Sequence, residues 1–222
     1  MNYLKEAYSY CLNFFNDYVK TEPEVLAQNV KKFLIISLIG EAILIVFYVI
    51  LNLVVTYTTN YDDVVALNVR MRYLFEQREV SPFIYSMNTY PYTVLWGAFF
   101  IIFFQTISIF TKWGLVRIFS EKHTDLGRVA LAEIHSFSRF FISLFPLLFI
   151  AKIFPQSWKL QLLPLIFYVS VYMLTILFGA FFYLKRWIFV TTVILEQPKG
   201  RSIITWSFPL LIVGLLIWIS YS

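Results

Sequence analysis

The sequence predicts an all-α fold: a polytopic transmembrane helical bundle of five spans, N-terminus cytoplasmic and C-terminus outside, with amphipathic helices on its surface. Three observations predict it. Of the 222 residues, 59% are hydrophobic and 14% charged, against roughly 45–50% and 25% in soluble domains. Five apolar runs reach the roughly 17–25 residues that a helix needs to cross a bilayer. Lys and Arg gather in alternate connections between those runs. A soluble core of this size has no use for so much apolar surface. The composition also excludes a disordered chain and a disulfide scaffold, and the single Cys11 cannot form an intrachain disulfide.

Residues 1–32 read as a cytoplasmic amphipathic segment. Leu4, Tyr8, Cys11, Phe15 and Tyr18 recur at helical spacing and share one face. Such a helix lies on the bilayer surface or under the bundle, with partner docking as the alternative. Residues 1–20 mix acids, bases and large aromatics and do not read as a secretory signal. Residues 33–222 form the transmembrane domain. Its spans are expected at 33–55, 92–111, 137–154, 162–184 and 203–221. The third is the shortest and carries Arg139, Pro146 and Lys152, so a four-span arrangement with this segment in the interface is the alternative. Pro146, Pro164 and Pro209 are expected to kink or begin spans. The Phe-rich runs at 99–100 and 103–104 are expected to face lipid.

Two connections carry helix signals. In the outside loop 56–91, Asp62–Glu79 reads as a helix capped by Asn60 or Asp62, with Val64, Leu67, Met71, Leu74 and Phe75 as its apolar stripe. Asp62 and Asp63 suit its positive dipole end, and no EF-hand spacing accompanies them. In the cytoplasmic loop 112–136, Thr124 or Asp125 can cap a helix that presents Leu126, Val129, Ala130 and Ile134 on one face. His123 with Asp125, and Glu133 with His135, read as a solvated polar face. The two histidines lack the one-face spacing of a metal site, and no metal is expected.

Orientation follows from the basic residues. Lys5, Lys20, Lys31 and Lys32 precede the first span; Lys112, Arg117, Lys122 and Arg128 separate the second from the third; Lys185, Arg186, Lys199 and Arg201 separate the fourth from the fifth. The opposite side holds Arg70, Arg72, Arg78, Lys152 and Lys159. The fuller side is cytoplasmic. The formal charge of +5 has the same origin, and since no Lys/Arg run exceeds two residues, no nucleic-acid partner is expected.

An ionisable residue inside a span is costly and marks a candidate site. Glu41 lies eight residues into the first span, too deep to snorkel. Gln105, Ser108 and Thr111 of the second span and Arg139 of the third fall in the same half of the bilayer, and Thr175 and Tyr183 of the fourth can join them. Glu41, Gln105 and Arg139 are therefore expected to form an intramembrane polar clasp, Glu41 paired with Arg139. The alternative is a proton or substrate relay, against which stands the lack of another Asp or Glu in a span. Enzyme signatures such as HExxH, GxSxG, the P-loop and GxGxxG do not occur, so neither a catalytic nor a cofactor site is expected.

Three features resemble the Ypt-interacting-protein (YIP) family of five-span membrane proteins. Pro23 sits in the polar stretch Thr21-Glu22-Pro23-Glu24-Val25-Leu26 before the first span. The connection from Leu115 to Arg128 leads into a span centred on Phe145-Pro146-Leu147-Leu148. The predicted topology is the third feature. The connection departs from the family in carrying Ser-Glu-Lys-His instead of a double glycine, and the outside loop is long. The resemblance implies a non-enzymatic scaffold or partner-binding subunit, with a protein partner or a second copy of itself. It carries no GTPase contact residue onto this chain. A small transporter or channel subunit using Glu41 and an accessory subunit of a larger complex are the alternatives. The expected location is the bacterial inner membrane ahead of a eukaryotic endomembrane.

Overall fold

A computed structural model describes residues 22–119, 121–153 and 161–221. Among them all regular structure is helical: α1 (Pro23–Gln28), α2 (Val30–Thr59), α3 (Tyr61–Glu76), α4 (Pro82–Asn88), α5 (Tyr92–Ile118), α6 (Leu126–Ile153), α7 (Leu162–Ile194) and α8 (Lys199–Tyr221). The expected amphipathic helix at Leu4–Tyr18 lies outside the described residues. Among the described residues three helices are long and apolar enough to cross a membrane: α2 with 30 residues, α5 with 27 and α7 with 33. At about 1.5 Å per residue each exceeds the roughly 30 Å hydrocarbon thickness, so each extends beyond the apolar stretch that marked it. Large apolar side chains are exposed along all three, including Ile39, Val46, Phe99, Phe103, Met173 and Phe178. Several of the buried positions within their apolar stretches are small or polar: Ser37, Gly40 and Glu41 on α2, Ala98 and Gln105 on α5, Gly179 on α7. Apolar outside and small or polar inside is the arrangement that lipid contact selects.

The cytoplasmic loop expected at 112–136 is mostly helix. α5 continues to Ile118, because Trp113, Leu115 and Val116 keep an apolar face and nothing before residue 119 breaks the helix. The amphipathic segment and the third expected span merge into the single 28-residue α6. Asp125 is its cap, its Oδ2 accepting from Arg128 N at 3.1 Å. Pro146 lies inside α6 and Pro209 inside α8.

The chain divides into two compact units. The first takes in the described residues through Ala42, Phe104–Ile142 and those from Phe178 onward. Its core joins Leu26 of α1 with Val116, Val129, Leu131, Ala132, Trp187, Val190, Ile194 and Leu195, all buried. Arg128 Nη1 donates to the carbonyl of Ile194 at 3.0 Å, which caps the end of α7. The turn beyond it is held by Gln197, whose Nε2 donates to Thr205 Oγ1 at 3.0 Å, and by Thr191 Oγ1, which donates to Ser202 Oγ at 2.9 Å.

The second unit comprises Ile43–Phe103 and Ser143–Leu177. Its α3 stops at Glu76, three residues short of the expected end. Arg78 takes a left-handed φ of 59°, while Arg78 N donates to Phe75 O and Glu79 N to Leu74 O. That is a Schellman stop without the usual glycine, and the missing glycine left no signal in the sequence. Asn60 precedes α3 without a side-chain cap. Of the expected stripe Val64 and Met71 are buried, whereas Leu67 and Phe75 are exposed. The sequence reading also passed over α4, although Ser81 caps it and Pro82 opens it.

Asn68 clamps the loop to α3. Its Nδ2 donates to Tyr90 O at 3.0 Å and its Oδ1 accepts from Tyr90 N at 2.9 Å. The Tyr90 hydroxyl donates to Asn52 Oδ1 at 2.5 Å and lies 2.7 Å from Thr56 Oγ1. Tyr90→Phe will therefore cost about 1–2 kcal/mol, read as a lower thermal midpoint in detergent with the helical circular dichroism unchanged.

Candidate functional site

The site is built on the inner faces of helices of the first unit. Gln105, Ser108 and Lys112 follow one another at spacings of three and four, which brings them to one face of α5. Tyr183 and Trp187 stand one turn apart on α7. Glu133 comes from α6, in a run from Leu131 to Ser136 in which every residue is buried, so an acid there cannot reach water.

Lys112 and Glu133 are each 1% exposed and form an ion pair of 2.6 Å between Nζ and Oε2. Lys112 Nζ also donates to the Tyr183 hydroxyl at 2.6 Å. Tyr183 in turn donates to Glu133 Oε1 at 2.5 Å, and Ser108 Oγ donates to the same oxygen at 2.8 Å. The ammonium lies 4.3 Å from the centroid of the Trp187 ring and 4.9 Å from that of Tyr183, a cation–π arrangement. Removing two charges from water costs several kcal/mol each, which direct pairing offsets only where the remaining bonds are also satisfied. Here Glu133 accepts three hydrogen bonds and Lys112 has two anionic or polar partners and two ring faces.

Glu41 and Gln105 are both buried, at 8% and 7% exposure, and their side chains are neighbours. Glu41 also lies within electrostatic range of Glu133 and Tyr183. Its Oε1 and the Gln105 Nε2 are buried without a hydrogen-bond partner. Two members of the expected cluster thus come together, and Ser108 and Tyr183 join them. The third, Arg139, does not pair with Glu41: no ion pair among the described residues links them. Arg139 is six residues from Glu133, which turns it about 120° around α6. It belongs instead with His135 and Arg186, whose ring Nε2 and Nη2 are 2.6 Å apart. Thr111 and Thr175 bond the backbone of their own helices.

Two further expectations are corrected. The sequence places Lys112 in a loop and reads Glu133 with His135 as a solvated face; all three are buried. Helix α5 runs past the apolar stretch and carries Lys112 inward, while α6 begins early enough to do the same for Glu133. The signal available in the sequence was the spacing of seven from Gln105 to Lys112, together with Ala132 and Ile134 flanking Glu133. His123 lies 3.2 Å from Glu196, which Lys122 also binds at 2.7 Å. The Lys122 hydrogen bond holds the Glu196 carboxyl below its ordinary value. Among the described residues no group of three His, Cys, Asp or Glu is arranged to hold a metal ion. Comparison with protein-family models, with curated proteins and with solved structures finds no match for the chain.

Proposed function

We propose that the chain is a non-enzymatic, five-span membrane protein that serves as a scaffold or partner-binding subunit, in keeping with its resemblance to the YIP family. The observation that carries this reading is the Lys112–Glu133–Tyr183–Ser108 network. Its polar atoms are committed to one another and join α5, α6 and α7, which is a structural use of buried charge. The third and fifth spans are α6 and α8. The bias of Lys and Arg supports a cytoplasmic N-terminus and an outside C-terminus even with Lys112 withdrawn from the count. The bacterial inner membrane remains the favoured location, and the partner is a protein or a second copy of the chain.

A small transporter or channel subunit is the second reading, and two observations favour it. Glu41 has a buried carboxyl oxygen without a partner, and Glu133 supplies the second intramembrane acid that the sequence reading lacked. Reconstitution separates the two. For a scaffold, purified protein in liposomes gives no solute or proton flux above that of empty vesicles, and native mass spectrometry from mild detergent shows one partner at fixed stoichiometry. Flux that disappears in Glu41→Ala overturns the scaffold reading in favour of transport.

A further inference from the structure

We propose that Glu41 is a buried proton-binding site, its carboxyl carrying an exchangeable proton beside Gln105 and the Lys112–Glu133–Tyr183 triad. The inference begins with a charge balance. The titratable groups within electrostatic range of Glu41 are Glu133 from α6 and Tyr183 from α7, and the cation beside them, Lys112 from α5, is paired with Glu133. That is one cation for two carboxyls. Lys112 is held as an ammonium by two 2.6 Å contacts and two aromatic faces. Glu133, accepting from Lys112, Tyr183 and Ser108, is its counter-ion. Glu41 is left as the surplus acid.

A second ionised carboxylate in such a place would meet both the loss of water and the repulsion of Glu133. Its surroundings offer no cation to offset either: Oε1 accepts no hydrogen bond, and the side chain beside it is the neutral amide of Gln105. A proton on Glu41 removes both penalties at once. The proton stays exchangeable because Glu133 and Tyr183 lie within range. The site is independent of solute movement and holds for a scaffold as for a transporter.

A hydrophobic carbodiimide tests this. The reagent adds across a protonated carboxyl: the acid oxygen bonds to the central carbon, the proton passes to a nitrogen, and rearrangement leaves an N-acylurea with no group lost. In wild-type protein in liposomes at neutral pH, the peptide containing Glu41 is expected to gain the mass of one reagent molecule, and that containing Glu133 none. Labelling falls to background in Glu41→Gln. It also falls in Glu133→Gln, where the repulsion of the Glu133 carboxylate on Glu41 is removed and Lys112 is left without its counter-ion, a loss that a purely structural role for Glu41 would not produce. Infrared spectra of the wild type need no variant: they should show a buried protonated-acid carbonyl band that shifts in heavy water and is lost in Glu41→Gln. Labelling at Glu133 in place of Glu41 overturns the proposal, as does the absence of that band. Protection of Glu41 by sodium or potassium at constant pH also overturns it, because the site then belongs to a metal cation.

Discussion

Lys112→Ala will lower the unfolding free energy by about 3–5 kcal/mol, the range seen when one partner of a buried ion pair is removed. The loss exceeds that of the contacts themselves. Glu133 would keep the bonds from Tyr183 and Ser108 but hold a buried charge with no cation, in a setting where Glu41 already stands nearby. Lys112 is also the group lying over Trp187, so the truncation opens space at the edge of the core. Lys112→Met with Glu133→Leu fills that volume without charge and is expected to recover most of the loss, since an ion pair replaced whole by apolar side chains is often neutral or better. Thermal unfolding of the variants in one detergent, arranged as a double-mutant cycle, reads the coupling. A Lys112→Ala protein as stable as the wild type would remove the network from any structural role.

Much of the fold was legible in the sequence, and the reason is physical. A span must satisfy its own backbone and present apolar groups to lipid, so α2, α5 and α7 announce themselves as long apolar runs. Their ends do not. Helices outlast the hydrophobic stretch wherever no breaker intervenes, which is why Lys112 and Glu133, assigned to a loop, lie inside. A charge also reads as solvated until something shows what surrounds it. Glu41 was conspicuous because its flanks are apolar on both sides, whereas Lys112 and Glu133 stand among polar neighbours such as Thr111 and His135. The pairing of Glu41 with Arg139 matched charges by depth alone. Depth fixes the height of a residue on a helix and says nothing of the side it faces, and the angle between positions 133 and 139 is what turned Arg139 away. The Schellman stop at Arg78 was hidden for a related reason: a left-handed residue other than glycine carries no mark in the sequence.

Trp187→Ala is expected to cost a further about 3–5 kcal/mol in the wild-type background, the range for deleting a large buried aromatic side chain. Trp187 has no exposed surface and sits among Leu26, Val116, Val129 and Ile194. Its Nε1 donates to the carbonyl of Ser202 at 2.9 Å, tying α7 to the first turn of α8. Trp187→Phe retains most of the volume and loses that bond along with the richer π face, so it should cost about 1–2 kcal/mol. The two changes divide the roles of this residue as apolar filler and as partner of the ammonium. Only the second depends on Lys112. Combining Trp187→Phe with Lys112→Met should therefore be less destabilising than the sum of the two, by about 0.5–2 kcal/mol. Strict additivity would mean that the 4.3 Å approach of the ammonium to the ring contributes nothing, and that the core and the polar network act as separate supports.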